Sequence, residues 1–312
     1  MSRRRVLAAV AIVLTAVALA GCSNPFAGPS LADAKAAESK SAAVTKPTIL
    51  NDGKLVVGVR TNSVSAPYCA TTSNSVLAGI DVDVASAIAD QMGLSVEFVT
   101  SANAKDELGS KCDIVMDVTG ATSSGYTVVG SYVERATAFF SKQSSTYAAT
   151  DLNGKTVGVQ TGSASEAALS RSSLVVTQRG FGNINEAFEA LNSGTVDCVL
   201  CDAYSGAYLA TQYSGINMCG TLDAPVSYGV GVASSNSALQ DAVKSALEQV
   251  SKGGLLDVIR QRWVGTMPSL TTENQIKGVA TTSSTSTGDA AESAESTQAT
   301  SGVTAGSNAA TV

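Results

Sequence analysis

From Lys54 onward the chain alternates short apolar runs with amphipathic stretches, and it does so twice. The run 55–60 reads as a buried strand. Residues 81–92 carry a helical period, with Val84, Ile88 and Met92 on one face and Gly93 as a stop. Residues 96–99 and 112–118 read as strands, the latter with Ile114 and Met116 alternating. The second round opens at 155–160, after which Gly162-Ser163 starts a helix through Leu169. Asn183-x-x-Glu186 resembles a capping box before Ile184, Ala187, Phe188 and Leu191, with Gly194 as the stop. A strand follows over 196–201. Ser237-x-x-Gln240 reads as the cap of a helix carrying Leu239, Val243, Leu247 and Val250, ended by Gly253-Gly254. A last short helix carries Leu256, Ile259 and Trp263. Strands alternating with helices imply an α/β protein whose mostly parallel sheets are covered on both faces. Two such rounds imply two similar lobes. In sheets of this kind ligands bind beyond the carboxyl ends of the strands. That rule nominates Arg60, the stretch from Asp117 through Thr119 to Thr122, the stretch Gln160, Thr161, Gly162 and Ser163, and Asp202.

Composition removes whole classes of function. The chain has 312 residues and no histidine. That excludes Ser-His-Asp and Cys-His catalysis, imidazole proton shuttles and His-ligated metal sites. A net charge of −6 argues against a nucleic-acid partner, which needs a basic face. No metal site and no cofactor are expected.

The two ends read differently from the middle. Arg3, Arg4 and Arg5 precede an apolar run over 6–20, interrupted only by Thr15. The run is short for a membrane span and suits an export signal. It closes on Leu19-Ala20-Gly21-Cys22, which resembles a bacterial lipobox. Residues 1–21 are therefore expected to be a lipoprotein signal peptide. Cys22 would be acylated, and acyl chains would hold the protein on the outer face of the cell membrane. Residues 22–49, rich in Ala, Ser and Lys with Pro25, Pro29 and Pro47, read as that anchor and a flexible tether. Residues 268–312, mostly Thr, Ser, Ala and Gly, read as a disordered tail without enough apolar surface to offset ordering.

The order of motifs between these ends resembles the family 3 extracellular solute-binding proteins of amino-acid ABC importers. The resemblance is carried by Gly53-Lys-Leu-Val-Val-Gly-Val59 with Ala66-Pro67-Tyr68, and by Gly79-Ile-Asp-Val-Asp83. It continues through Asp151-Leu-Asn-Gly-Lys-Thr-Val-Gly-Val-Gln160, Gly194-Thr-Val-Asp197 with Asp202, Tyr228-Gly-Val-Gly-Val232, and the ending from Gly253-Gly254 to Trp263. It implies a two-lobed periplasmic-binding-protein-like fold of type II with two hinge crossings, near 138–142 and 228–233. Lobe 1 would comprise 50–138 plus 233–267, and lobe 2 would comprise 139–232. It further implies a monomeric, non-enzymatic receptor that delivers a small polar solute, an amino acid or related amine, to an ABC permease and its ATPase. The alternatives are a cyclohexadienyl or arogenate dehydratase-like enzyme on the same fold, and a sensory binding module.

Site roles follow by resemblance. Asp202 matches a carboxylate for a ligand ammonium; the other reading is a helix N-cap. Tyr68 matches an aromatic that packs on ligand; otherwise it is a lobe-surface aromatic. Thr161-Gly162-Ser163 either offers helix N–H groups to an anion or forms a tight turn with a Ser cap. Arg60 either clamps a carboxylate or pairs with Asp117. Family members carry an arginine that clamps the ligand carboxylate where this chain has Gly125, so the ligand's carboxylate is either held by Arg60 or absent. Beyond Cys22, five cysteines remain: Cys69, Cys112, Cys198, Cys201 and Cys219. One bridge from Cys219 to Cys198 or Cys201 is expected, with Cys69 to Cys112 as a further pairing.

Overall fold

The computed structural model describes residues 41–61, 66–72, 75–120, 125–143 and 145–280. The expected signal peptide, Cys22 and Thr122 lie outside them. Two five-stranded sheets carry the fold. The first contains β1 (Lys54–Val59), β4 (Ser95–Thr100), β5 (Ile114–Val118), β6 (Tyr126–Arg135) and β12 (Val226–Ala233), in the order β4-β1-β5-β12-β6. The second contains β7 (Thr137–Ser141), β8 (Thr156–Gln160), β9 (Thr177–Phe181), β10 (Cys198–Asp202) and β11 (Asn217–Thr221), in the order β9-β8-β10-β7-β11. The orders superimpose: in each sheet three parallel strands are followed by one antiparallel strand and an edge. A small hairpin, β2 (Ala70–Thr71) with β3 (Leu77–Ala78), stands apart.

The repeat extends to single residues. Asp113 N donates to Val56 O and its carboxylate accepts from Val56 N at 2.8 Å. Asp197 N donates to Thr156 O and its carboxylate accepts from Thr156 N at 2.7 Å. Each aspartate thus pins the start of the central strand of its sheet. Strand side chains alternate between core layers, as the pleat requires. Leu55, Val57 and Val59 enter the main core, while Val56 faces a separate cluster with Cys112, Val115 and Val118. Val199 and Cys201 face the main core, while Cys198 and Leu200 face a third cluster with Phe139, Val157 and Cys219.

Helices cover the sheets. In α1 (Ile80–Gln91) the buried face is Ile80, Val84, Ala85, Ile88 and Ala89, and Gly93 follows at φ 67°. Helix α2 (Ala104–Glu107) and α3 (Ala149–Leu152) are single turns. Helix α4 (Ala164–Ser170) is capped by Ser163. Asn183 caps α5 (Ile184–Ser193) by accepting from Glu186 N, but Glu186 reaches back to Gly182 N and Asn183 Nδ2 rather than to Asn183 N as the expected box requires. Helix α6 (Ala203–Ala210) follows β10 directly. Helix α7 (Ser237–Lys252) is capped by Asn236 rather than Ser237, because Asn236 Oδ1 accepts from Leu239 N. Helix α8 (Leu255–Val264) ends at Gly265.

The chain changes sheet twice. Only Ala136 separates β6 from β7, and residues 222–225 separate β11 from β12. The crossings therefore lie a few residues before the expected 138–142 and 228–233. All of β12 belongs to the first sheet, because its residues pair with β6 and β5. Asp223 ties the crossings together by accepting from Thr137 N at 2.7 Å and Thr137 Oγ1 at 3.2 Å.

Three further expectations are corrected. The stretch 268–280 is packed, not disordered: Leu270 and Ile276 are buried, and Ile276 N donates to Thr221 O at 2.9 Å on the β11 edge. Two apolar residues in a polar stretch suffice when a sheet edge offers a carbonyl to pair with. Residues 281–312 lie outside the described ones. Likewise Ile49 is buried and Ala43 N donates to Met92 O, so the end of the expected tether packs on the first lobe. The five described cysteines are buried thiols, against the expected bridges. Cys198 on β10 is opposite Ser141, and Cys219 lies in the β11 bulge between Met218 and Gly220, so β7 runs between the two. Two strand spacings separate them by roughly 9–10 Å, beyond disulfide reach. Cys201 faces the other side of the sheet, and Cys69 and Cys112 sit in different core clusters.

Candidate functional site

The carboxyl ends of the equivalent strands β5 and β10 bring Asp117 and Asp202 to the junction between the sheets. Asp117 is 4 % exposed and has φ 59°, a left-handed backbone that Asp tolerates better than most residues. Such a conformation costs about 1 kcal/mol or more and collects at functional positions. Asp202 caps α6, accepting from Ser205 N at 2.8 Å. The capping reading of Asp202 is thus observed. Its carboxylate also receives the Tyr68 hydroxyl, at 3.1 Å to each oxygen.

Tyr68 is positioned by its backbone. The first N–H groups of α1 are satisfied by carbonyls of the preceding loop: Ile80 N donates to Pro67 O and Asp81 N to Tyr68 O. Gly79 allows this approach, since at φ 145° any side chain would be strained and a Cβ would run into the Tyr68 carbonyl. The Tyr68 ring stacks on Tyr204, 5.8 Å between centroids. Burial, followed by the charge of Asp202, pushes the Tyr68 hydroxyl pKa well above its usual value, so it remains a donor.

The residue that joins these groups is Arg135, the last residue of β6. Its Nη2 donates to Asp117 Oδ2 at 2.8 Å. Its guanidinium lies 3.8 Å from the Tyr68 ring centroid and 4.9 Å from that of Tyr228, both within cation–π range. Burial disfavours the charge, but Asp117, Tyr68, Asp202 and Asp81 outweigh it and hold Arg135 protonated. A second buried pair adjoins: Tyr132 donates to Asp81 Oδ1 at 2.6 Å. Burial raises the Asp81 pKa, opposed by the Tyr132 bond and by the charges of Arg135 and Arg60.

Of the residues nominated from sequence, Tyr68, Asp117 and Asp202 meet through Arg135, and Arg60 is close enough to act electrostatically on Asp81. Thr119 follows the cluster, its carbonyl accepting from Tyr126 at 3.2 Å. The hydrogen bonds of the Gln160–Ser163 turn run within the second lobe. Gly162 N donates to Glu166 Oε2 at 2.7 Å, Ser163 Oγ accepts from Glu166 N, and Thr161 N donates to Phe181 O. Glu166 thus stands where an anion would sit, and it also accepts from Gln178 Nε2 at 2.7 Å. The turn reading with a Ser cap describes this loop. Arg135, Asp81, Tyr132 and Tyr228 went unassigned in the sequence. The only signal for Arg135 was a lone basic residue between two strands. Among the described residues no group of side chains is arranged to hold a metal, and no helix is long and apolar enough to cross a membrane.

Comparison with known proteins completes the picture. A model of the bacterial extracellular solute-binding proteins, family 3, matches residues 55–266. An arginine-binding periplasmic protein of Mannheimia haemolytica is 22% identical over 64% of this chain and 87% of its own length. A structure of an ancestral cationic amino acid solute-binding protein is 25% identical, covers 68% of this chain and 96% of its own, and has a TM-score of 0.57. A polar amino acid ABC uptake transporter substrate-binding protein from Streptococcus thermophilus, 21% identical over 71% of this chain and 89% of its own, reaches a TM-score of 0.62 and shares the fold.

Proposed function

The chain belongs to the family 3 bacterial extracellular solute-binding proteins, and on that premise we propose that it captures an amino acid or related amine in the cleft between its lobes and delivers it to an ABC permease. The reading takes the lobes to meet at Ala136 and 222–225, with Cys22 as the lipid anchor. The observation that carries it is the Tyr68–Asp202 pair, a donor from the first lobe on a carboxylate of the second. A ligand ammonium would replace the Tyr68 hydroxyl on Asp202 with a charge-assisted bond. Around it Asp81, Asp117 and Asp202 outnumber Arg60 and Arg135, and that balance favours a positively charged group. Binding at the junction would stabilise the closed arrangement of the lobes. The relatives named above for arginine and cationic amino acids support the ligand class.

The test is a thermal-shift panel of amino acids, amines, short peptides and organic acids on the mature protein. A true ligand at 100 times its dissociation constant stabilises by about 2.7 kcal/mol. A broad panel without any shift sinks the reading. One observation favours the dehydratase-like alternative: Asp81, buried with its pKa raised, is a shielded acid able to protonate a leaving hydroxyl. A binding protein turns over no cyclohexadienyl carboxylate; appearance of the aromatic product in an absorbance assay would instead establish the enzyme.

A further inference from the structure

Two tyrosine faces and a carboxylate edge surround the Arg135 guanidinium, and each comes from a different part of the fold. Tyr68 precedes α1, Tyr228 lies on β12, and Asp117 is the penultimate residue of β5, in a left-handed conformation. Tyr228 is opposite Val133 and Arg135 is opposite Val226, so Tyr228 and Arg135 are diagonal neighbours across the β6–β12 pair, within reach of long side chains. Tyr68 is 5 % exposed and Asp117 4 %, so the guanidinium contacts groups already withdrawn from water. Cation–π attraction strengthens under such desolvation. A planar cation set against aromatic rings and paired with a carboxylate is what a guanidinium recognition site consists of.

We propose that Tyr68, Tyr228 and Asp117 form a guanidinium-binding cage that the chain fills with its own Arg135. The inference rests on the solute-receptor reading for its biological meaning and narrows its ligand class. With the cage occupied in cis, the cleft takes an ammonium at Asp202 and this cage is closed to a second guanidinium. Arg135 is thus the residue that sets specificity, and removing it opens a site for a free guanidinium group.

The experiment uses the mature chain, Arg135→Ala and Arg135→Gln, with methylguanidinium and methylammonium at matched low-millimolar concentration and ionic strength. Arg135→Ala is expected to lose roughly 5–15 °C in Tm, since it leaves Asp117 buried without its guanidinium. Methylguanidinium at about ten times its dissociation constant should restore roughly 3–6 °C, and methylammonium should not. Adding Asp117→Asn should abolish the rescue. The unsubstituted protein should show no shift with methylguanidinium. The proposal is overturned by equal effects of the two cations on the variants, or by methylguanidinium binding to the unsubstituted protein. If neither variant folds unaided, refolding yield is the readout: methylguanidinium must raise it selectively, and failure to do so is a refutation. The amine and amino-acid panel on the unsubstituted protein tests the receptor reading separately, so rescue without any panel ligand would leave the cage standing and remove the receptor.

Discussion

At the scale of single residues, Asp202 does two things at once, and they can be separated. Asparagine is as good an N-cap as aspartate, so Asp202→Asn should keep stability within about 0.5 kcal/mol. It should still lose amine affinity by at least about 100-fold, since an ammonium then meets no charge. Calorimetric titration alongside urea denaturation checks this, and unchanged affinity would take Asp202 out of the site. Asp81 offers a pH test. Its carboxyl pKa is raised by burial above the ordinary 3.8. The folded state therefore holds its proton more tightly than the unfolded chain does, and stability falls as pH climbs from 3.8 to the raised value. Asp81→Asn keeps an acceptor for Tyr132 and should flatten that part of the stability curve. A profile identical to the parent's across that window would rule this out.

At the scale of elements, the two lobes reuse one device with different strength. Asp113 accepts from both Leu50 N and Val56 N at 2.8 Å and is 3 % exposed. Asp197 accepts from Thr156 N, is largely exposed, and stands 3.7 Å from Lys155. Asp113→Ala should cost roughly 2–4 kcal/mol, because it strands two donors, one of them buried. Asp197→Ala should cost about 1 kcal/mol or less, since water can replace it. Equal losses in urea midpoints would contradict the assignment. The segment after α8 behaves as one more element: Ile276→Ala should cost about 2–4 kcal/mol and speed amide exchange at Ile276, whose N–H is held by Thr221. Its composition hid this, because Leu270 and Ile276 are too few and too far apart to set a period. The strands β6, β9 and β11 were hidden for a related reason. Thr177–Phe181 is almost wholly exposed on its edge, so no alternation marks it.

At the scale of the whole molecule, the Tyr68 hydroxyl is a bond between lobes. Tyr68→Phe keeps the ring over Arg135 and removes that bond, so the unliganded protein should open, with a larger radius of gyration by small-angle scattering. An unchanged radius would show that the lobes are held together by other contacts. Much of this organisation could be read from local pattern. Apolar runs at 55–60, 112–118, 155–160 and 196–201 are buried on both faces, so their hydrophobicity is continuous and unmistakable. Once the strands are known, their carboxyl ends nominate Asp117 and Asp202 without any tertiary information. The sequence by itself therefore determined the alternating α/β class, the duplicated lobes and the placing of Asp117 and Asp202 at strand ends. Only the tertiary structure decided what joins them. Arg135 arrives because β6 and β12 pair in a register that sets it diagonal to Tyr228, while Gly79 lets Tyr68 close over it from α1. The same structure spends the N-terminus of α4 on Glu166. Pairing register and the nearness of segments far apart in sequence belong to no local window, and that is why the cage was not legible until the chain was folded.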